Sequence, residues 1–578
     1  MGRLWRYLRN NLKETILAPF FKMLEASFEL IIPLVVASMV DVGIGGKDQG
    51  YLLRMGCLMV VLGIVGFISS ATAQYFAAKA ATAAGTAMRN DLFSHMGTFS
   101  YQEIDSIGTA TLITRMTSDI NQVQNGVNMF LRLFLRSPFV VLGAVFMAFL
   151  VDHKTAMVFA VTIPALFFVV FLILLISMPL YQRVQKQLDD VLQKTRENLL
   201  GIRVIRAFNR QESEIKAFDA SHRELYRRQI FVGKISALLN PVTYVIINLG
   251  TIGVLWTGGI QVNLGRLSQG EVIALINYMS QILVELIKLA NLMILLSKTA
   301  ASLKRVENVF QTQGSILDGE ENFRPDGAVS VSFQDVSFAY AGAKEPAVEK
   351  VSFSAAAGDT IGVIGGTGSG KTTLVNLIPR FYEAQEGEIL IQGNDIRNLR
   401  MEELRNQIGY VPQKAALFRG TLRANMQWGK KDASDEEIYE ALKTAQAMDF
   451  VEKKGEGLDL AVEQGGRNLS GGQKQRLTIA RALVRKPAIL ILDDSASALD
   501  FATDAKLRKE IRKHTDHMTV FLVSQRVSAV KNADQILVMN DGKIAGKGKH
   551  RDLLRSCRIY REICESQMTR EEVAADAE

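Results

Sequence analysis

The stretch IGVIGGTGSGKTTLV (Ile361–Val375) decides the fold of the second half of this chain. It begins as an apolar strand, passes through a glycine-rich turn and ends in a helical pattern. Within it, Gly365–Thr372 match the spacing G-x-x-x-x-G-K-T, in which the glycines let backbone N–H groups converge on phosphate oxygens. The positive end of the helix dipole favours the same anion. The stretch therefore predicts an α/β domain that binds a nucleotide through its phosphates.

Within the loop, Lys371 is expected to reach the β- and γ-phosphates, and the Thr372 hydroxyl is expected to bind Mg²⁺. Asp493 ends the apolar strand AILIL and is predicted to make a second contact to the magnesium. The alternative for Asp493 is a helix-capping carboxylate, which is common in α/β folds. The predicted nucleotide-binding residues of the loop are Gly365, Gly366, Thr367, Gly368, Ser369, Gly370, Lys371, Thr372 and Thr373.

A second anion-binding pattern occurs in LSGGQKQRLTIARAL (Leu469–Leu483). Ser470 can cap the helix that follows, and Gly471 and Gly472 allow close approach of an anion to the backbone. One domain does not need two such sites for one nucleotide. The pattern is therefore expected to serve a nucleotide held by another subunit, the alternative being a purely structural glycine turn.

The first half of the chain has the composition of a membrane domain. Hydrophobic residues make up 48% of the 578 residues, and the mean hydropathy of +0.12 lies between that of a soluble enzyme and that of a pure membrane protein. A bilayer span needs about 20 apolar residues. Six such runs are predicted as spans, at roughly 17–42, 52–80, 137–152, 155–179, 236–261 and 271–297.

The distribution of Lys and Arg predicts the orientation of these spans. Basic residues precede the first span and crowd two long segments, from about 80 to 136 and from 180 to 235, whereas the opposite connections are short. Both termini and both long segments are therefore expected in the cytoplasm. The two segments lack proline and are predicted to be helical, with bends near QEIDSIG (102–108) and RVIRAFNRQE (203–212).

Charge and cysteine content exclude several other classes. The net charge of +8 is explained by the basic cytoplasmic segments. Nucleic-acid binding is disfavoured, because no basic stretch is interleaved with aromatic residues. The three cysteines lack a Cys-x-x-Cys spacing, which argues against a disulfide framework or a zinc site.

The sequence changes character after the last span, and four regions are expected. They are a transmembrane domain with six helices and two cytoplasmic coupling segments (1–305), a linker (306–325), a nucleotide-binding domain (326–566) and an acidic, frayed tail (567–578). The fold class is therefore a membrane all-α domain fused to an α/β P-loop domain.

Taken together, the P-loop, LSGGQ, the strand ending at Asp493 and the SALD turn, preceded by six spans, resemble an ABC transporter. More narrowly, the chain is similar to a half-transporter of the ABC exporter fold, and FELIIPLVVASMVD in the first span resembles the first transmembrane helix of that family. The resemblance implies ATP and Mg²⁺ as cofactors, and a dimer with two ATP molecules between facing nucleotide domains. It also implies that the bends near Asp105 and Ala207 are coupling helices.

The same resemblance implies further site residues. Tyr340 corresponds to the aromatic residue that stacks on adenine, and Gln413 to the glutamine that contacts magnesium and senses the membrane domain. Asp500 corresponds to the aspartate that crosses the dimer interface. The signature residues facing the partner's ATP would be Ser470, Gly471, Gly472 and Gln473.

Two residues depart from the family pattern. Asp494 stands where the catalytic glutamate is expected, and its carboxylate falls short by about 1 Å, a displacement that can cost on the order of 10²-fold in rate. Gln525 stands where the switch histidine is expected, and an amide cannot carry a proton at neutral pH. Because both changes affect one site, the chain resembles the degenerate-site subunit of heterodimeric bacterial multidrug exporters.

The expected function is therefore export of amphipathic drugs or lipids across the bacterial plasma membrane, driven by ATP, together with a non-identical half-transporter. Three alternatives remain. A homodimeric exporter could hydrolyse ATP slowly through Asp494, an exporter-fold importer could take up siderophore-like chelates, and a nucleotide sensor could gate its partner and move nothing.

Charged residues inside spans are candidates for a substrate cavity. Lys22, Glu25 and Glu29 lie in the first span, and Glu285 and Lys288 are spaced to pair on one face of the sixth. The alternatives are a neutralised ion pair or helix ends still in water.

Overall fold

The computed structural model describes residues 2–325, 329–495, 499–513 and 518–577. The chain divides into two compact units. One comprises Met1–Gly97 and Ala110–Thr312, and the other comprises Thr98–Thr109 and Gln313–Glu578. The first predicted bend (102–108), assigned from the sequence to the membrane half, therefore belongs to the same unit as the nucleotide domain, whereas the rest of its segment does not.

Residues 2–311 are mostly helical. The helices are α1 (Gly2–Arg9), α2 (Leu12–Ser38), α3 (Gln49–Met96), α4 (Tyr101–Ile107), α5 (Thr109–Thr114), α6 (Ile120–Leu133), α7 (Arg136–Val151), α8 (His153–Leu200), α9 (Ile202–Ala207), α10 (Gln211–Ala237), α11 (Leu239–Asn263) and α12 (Gln269–Gln311). Two π-helical turns, Met39–Ile44 and Arg115–Asp119, extend α2 and precede α6.

In the part of the chain that the structure describes, six helical segments are long and apolar enough to cross a membrane, which confirms the six predicted spans. The segments are Leu12–Ile44, Gln49–Met96, Thr109–Val151, His153–Leu200, Gln211–Asn263 and Gln269–Gln311. Each extends beyond the apolar run that predicted it, because the flanking polar residues continue the helix. The short helices α4 and α9 lie at the two predicted bends.

Polar contacts connect the first span to the last at two levels. The buried Tyr278 hydroxyl donates a hydrogen bond to the Leu30 carbonyl oxygen (2.8 Å). Asp41, at the end of FELIIPLVVASMVD, accepts a hydrogen bond from the Gly270 N–H (2.8 Å). This carboxylate satisfies a backbone donor in the first turn of α12 and thereby fixes the end of α2 beside it.

The described residues of the second unit form twelve strands. They are β1 (Val329–Phe338), β2 (Val348–Ala356), β3 (Thr360–Gly365), β4 (Glu386–Ile391), β5 (Asn394–Asp395), β6 (Ile408–Val411), β7 (Gly420–Thr421), β8 (Ala461–Val462), β9 (Ile489–Asp493), β10 (Thr519–Val523), β11 (Gln535–Asn540) and β12 (Lys543–Gly548). A six-stranded sheet has the order β12-β11-β3-β10-β9-β6, and a four-stranded antiparallel sheet has the order β2-β1-β4-β5.

The second unit also contains helices, which are interspersed with the strands along the chain. They are α13 (Lys371–Leu377), α14 (Met401–Asn406), α15 (Leu422–Gln427), α16 (Asp435–Thr444), α17 (Met448–Lys454), α18 (Gly471–Leu483), α19 (Phe501–Lys513), α20 (Val527–Val530), α21 (His550–Ser556), α22 (Arg558–Glu565) and α23 (Arg570–Ala577).

The strand order determines where the site lies. Strands β3, β10 and β9 are parallel neighbours, so their carboxyl ends meet at one edge of the sheet. That edge receives the P-loop after Gly365, the pair Asp493 and Asp494 at the end of β9, and Gln525 just beyond β10. Ligands of open α/β sheets bind at this edge.

The acidic tail is not frayed, in contrast to the expectation from its composition. Residues Arg570–Ala577 form α23. Val573 is buried, Asp576 pairs with the His550 ring (3.2 Å), and the Arg555 guanidinium donates to the Ala577 carbonyl oxygen (2.7 Å). These partners lie on α21, so tertiary contacts stabilise a segment that is too polar to predict as ordered.

Candidate nucleotide-binding site

A cavity of about 310 Å³ opens at this edge of the sheet. Its lining residues are Tyr340, Ala347, Thr367, Gly368, Ser369, Gly370, Lys371, Thr372, Thr373, Gln413, Asp493, Asp494, Val523 and Gln525. The structure therefore brings together most of the P-loop, the predicted magnesium ligands, the predicted adenine platform and both departures from the family pattern.

The conformation of the P-loop depends on its glycines and is stabilised by hydrogen bonds from its own lysine. The Lys371 ammonium donates to the carbonyl oxygens of Gly365 (2.9 Å) and Gly366 (2.5 Å). Gly370 has a φ of 94°, and a Cβ there would lie 2.3 Å from the Ala347 carbonyl oxygen, so only glycine fits. Burial lowers the pKa of Lys371, although the neighbouring carboxylates favour its charged form. An anion bound in the loop would favour the charged form of Lys371 and so oppose this effect of burial.

The predicted magnesium ligands converge in the cavity. The Thr372 hydroxyl donates to Asp493 Oδ1 (2.9 Å), and Gln413 lines the same space. Burial raises the pKa of Asp493, an effect that the hydrogen bond from Thr372 opposes. Among the described residues no group of three or more His, Cys, Asp or Glu side chains could hold a metal alone. The oxygen donors of Thr372, Asp493 and Gln413 fit Mg²⁺, which prefers oxygen ligands, keeps few from the protein and takes the rest from phosphate and water.

Asp494 and Gln525 face the same cavity as the P-loop. Asp494 Oδ2 accepts a hydrogen bond from the Gln413 amide (3.1 Å), and the Asp494 N–H donates to the Val523 carbonyl oxygen (3.0 Å). Its backbone is left-handed, with a φ of 42°. The exposed Gln525 is tied to the rest of the domain through its carbonyl oxygen, which accepts from the Gln567 amide (2.8 Å).

Tyr340 also lines the cavity, and its side chain is held by neighbouring residues. Its hydroxyl is 3.0 Å from Thr373 Oγ1, and its ring packs edge-on against Tyr382 with centroids 5.3 Å apart. The residue is 37% exposed. An aromatic face held beside a P-loop is suited to stacking on a base.

The signature residues do not line this cavity. Ser470 and Gln473 form a reciprocal cap at the start of α18, in which Gln473 N–H donates to Ser470 Oγ (3.3 Å) and Ser470 N–H to Gln473 Oε1 (2.9 Å). An ideal Cβ built on Gly471 meets nothing within 4 Å. The N-terminus of α18, with Gly472 in its first turn, therefore presents open backbone.

Asp500 also lies outside the cavity and caps its own helix. Its carboxylate accepts from the Thr503 N–H (2.9 Å) and hydroxyl (2.8 Å), and these hydrogen bonds lower the pKa of Asp500. The preceding residues of the SALD turn, 497–498, lie outside the described residues.

The first predicted coupling helix contacts an aromatic cluster next to the site. The buried Tyr382 donates to Asp105 Oδ2 of α4 (2.6 Å), and burial together with this carboxylate raises the pKa of Tyr382. Tyr101 of α4 packs on Phe381, with ring centroids 4.7 Å apart. Because Tyr382 also packs against Tyr340, one side chain contacts both the predicted adenine platform and the predicted coupling helix.

We expect Tyr382→Phe to loosen α4 without disturbing the ring packing. A hydrogen bond to a charged group contributes about 1.5–3 kcal/mol, so amide hydrogen exchange over residues 101–107 should accelerate by roughly 10-fold or more. Tyr101→Phe is the matched control, since it removes a hydroxyl from the same cluster without breaking this bond. Equal exchange in wild type and Tyr382→Phe would contradict the role assigned to the hydroxyl.

Four charged residues of the membrane unit, Glu29, Arg136, Glu285 and Lys288, form a connected group, whereas Lys22 pairs separately with Glu25. The predicted pair exists, with Lys288 Nζ 2.9 Å from Glu285 Oε1. Arg136 was not among the candidates, yet its buried guanidinium pairs with both Glu29 and Glu285. Its signal in the sequence was a lone arginine at the start of an apolar run, which indicates only a span boundary.

The fold and this site define an ATP-binding transporter subunit, in which six apolar spans precede a P-loop domain. Two families match the chain, the ABC transporter transmembrane region over residues 15–286 and the ABC transporter domain over residues 348–497. The chain belongs to the ABC transporter family, as a half-transporter of the exporter type, and it is a multi-pass membrane protein.

Relatives match over nearly the full length. The chain is 37% identical to the uncharacterized ABC transporter ATP-binding protein YfiB of Bacillus subtilis over 561 residues, which cover 96% of each protein. It is 31% identical to the putative export ATP-binding/permease protein RC1073 of Rickettsia conorii, covering 98% of this chain and 99% of that one. The structure of a bacterial Atm1-family ABC exporter with ATP bound has the same fold, with a TM-score of 0.78 at 24% identity over 97% of this chain and 98% of that one.

Proposed function

We propose that this chain is one subunit of a heterodimeric exporter, and that its own ATP site binds nucleotide but does not lead hydrolysis. The carrying observation is that Asp494 and Gln525 face the same cavity as an intact P-loop. The P-loop, Tyr340 and the predicted magnesium ligands are the groups that would bind the phosphates, the base and Mg²⁺. The two positions that would align the attacking water and carry a proton have a shorter carboxylate and an amide.

The residues of this chain would have separate tasks in the bound state. Tyr340 stacks on the base, and the loop N–H groups together with Lys371 hold the phosphates. Thr372, Gln413 and Asp493 would hold Mg²⁺, which supplies positive charge to the phosphate oxygens. Asp494 accepts a hydrogen bond from the Gln413 amide and so remains connected to the magnesium ligands. The site is therefore suited to holding ATP rather than hydrolysing it.

The signature supports the second half of the proposal. Ser470–Gln473 form a preorganised helix N-terminus, exposed at Ser470 and Gly471, that lies outside the chain's own cavity. Such an N-terminus binds anions through backbone N–H groups and the helix dipole. It would therefore complete the ATP site of the other subunit, with Asp500 at the same interface, and hydrolysis would proceed mainly at that composite site.

In the proposed cycle, ATP binding closes the two nucleotide domains and the coupling helices turn the membrane cavity outward. Hydrolysis at the partner-led site then resets the transporter. The cargo would be an amphipathic drug or lipid that leaves a bacterial plasma membrane, with both termini and the nucleotide domain in the cytoplasm. The division into a transmembrane domain (1–305), linker and nucleotide domain (326–566) remains part of this proposal.

Co-purification tests the partner. The tagged chain is extracted from its native membrane in mild detergent, and the proteins that co-purify are identified by mass spectrometry. A second half-transporter in equal amount, with Glu and His at the positions of Asp494 and Gln525, is the expected result. Recovery of this chain alone, as a dimer that hydrolyses ATP, would refute the heterodimer.

The second candidate function is a homodimeric exporter with slow hydrolysis. It is favoured by the contact between Gln413 and Asp494, which holds a carboxylate in the cavity (3.1 Å). In that case Asp494→Ala abolishes the ATP turnover of the isolated chain, whereas in the heterodimer it leaves most of the turnover of the assembled transporter intact.

A further inference from the structure

A second cavity lies within the membrane unit, between α2 and α12. Its volume is about 380 Å³. Its lining residues are Glu29, Ile32, Pro33, Val36, Asn277, Ser280, Gln281, Val284 and Glu285. Both helices belong to apolar spanning segments, so polar side chains in this cavity need a reason to be there.

Of the four charged residues around the cavity, only the two carboxylates line it. Glu29 and Glu285 line it, whereas the two cations that pair with them, Arg136 and Lys288, do not. The Glu29 side chain keeps 38% of its surface exposed, while that of Glu285 keeps 2%. A partly exposed carboxylate within a spanning helix has to face a polar space rather than lipid.

The wall offers hydrogen-bond acceptors with capacity for further donors. Arg136 contacts Glu29 through Oε2, and a carboxylate has capacity for further donors at its other oxygen. The Gln281 amide nitrogen points to the Glu29 carbonyl oxygen (3.5 Å), while the buried Gln281 Oε1 has no partner among the described residues. The Ser280 hydroxyl donates to its own helix, at Ile276 O (3.2 Å), which leaves its lone pairs available.

We propose that this cavity binds the head of an amphipathic molecule that donates several hydrogen bonds, a primary ammonium above all. Its donors would go to Glu29 and to Gln281 Oε1, and its apolar body would lie against Ile32, Val36 and Val284. Because Arg136 and Lys288 balance the two carboxylates, recognition rests on donors rather than on net charge. This inference deepens the proposed export of amphipathic compounds and rests on it for its biological meaning.

Binding is measured on the full chain, purified in detergent, without nucleotide. Octylamine is titrated by calorimetry against octyltrimethylammonium, which has the same charge and no donor, and against octanol, which has one donor and no charge. We expect octylamine to bind at least about 10-fold more tightly than either, since hydrogen bonds to a charged group are the stronger kind. Equal affinities for all three would overturn the proposal.

Variants assign the binding to this cavity. Glu29→Gln should weaken octylamine binding by about 10-fold or more, and Gln281→Leu should weaken it by several-fold. Glu25→Gln is the matched control. It also removes a carboxylate paired with a buried cation, Lys22, about one turn away in the same helix, but it does not line the cavity. The Glu29→Gln protein must elute as a single peak and melt within a few degrees of the control. Unchanged octylamine binding by such a protein would refute the site.

Two sources could supply the ammonium, a free amine or the ethanolamine head of a phospholipid. Octylamine titrations in phosphatidylcholine nanodiscs, with and without phosphatidylethanolamine, separate them. If phosphatidylethanolamine competes with octylamine, the lipid head is the source of the ammonium. If it does not compete, the source is a free amine. Neither nucleotide nor a second subunit is present in this binding test. A negative result therefore does not contradict the proposed heterodimer. Conversely, failure to find a partner by co-purification does not affect the binding test.

Discussion

Gly471→Ala is expected to lower ATP turnover by the assembled transporter about 100-fold while leaving this chain folded. Gly471 begins α18, and a Cβ at this position meets nothing within 4 Å in the chain itself. The methyl group therefore costs the isolated subunit nothing, and Ala is a better helix residue than Gly. In the proposed dimer the same methyl group takes the space through which the other subunit's ATP approaches the backbone. Loss of one preorganised donor typically costs 10²–10³-fold in rate.

The measurement is ATP hydrolysis by the transporter isolated through a tag on this chain. Gly233→Ala is the matched control, because Gly233 also lies in a helix, α10, and its Cβ would also meet nothing within 4 Å. Its turnover should equal that of the wild type. Normal turnover in Gly471→Ala would show that the start of α18 does not contact a nucleotide in another subunit.

The double variant Asp494→Glu with Gln525→His is expected to turn the nucleotide site of this chain into one that hydrolyses ATP. The longer side chain recovers about 1 Å of reach toward the attacking water, an alignment effect on the order of 10²-fold. The histidine restores a group that carries a proton near neutral pH. Both positions already face the cavity, so no other rearrangement of the site is needed.

Vanadate trapping of a photoreactive ATP analogue reports hydrolysis on each chain separately, once a tag on this chain separates the two subunits by mass. Labelling of this chain should be weak in wild type and should rise about 100-fold in initial rate in the double variant. Adding Lys371→Ala should abolish it. Strong labelling of wild type would identify Asp494 as a working base and favour the homodimer. The left-handed backbone at position 494 suits Asp better than Glu, so the melting temperature is measured alongside.

Much of the site could be predicted from the sequence because its parts are local. The strand, loop and helix of the P-loop occupy fifteen consecutive residues, and the cap between Ser470 and Gln473 spans one helical turn. The same holds for the six spans, since the length and apolarity of a run decide whether it can cross a bilayer. Adjacency of Asp494 and Gln525 to the P-loop followed from the family resemblance, and the parallel order of β3, β10 and β9 supplies its structural cause.

Contacts between distant segments were decided only by the tertiary structure. Arg136 and Glu285 are 149 positions apart, and no periodicity connects them. The hydrogen bond between Tyr382 and Asp105 likewise joins α4 to the nucleotide unit across 277 positions. A run of residues determines its own helix or strand through local sterics, hydrogen bonding and hydropathy. Which buried charge meets which, and whether a polar tail finds partners that order it, depends on packing that brings remote elements together.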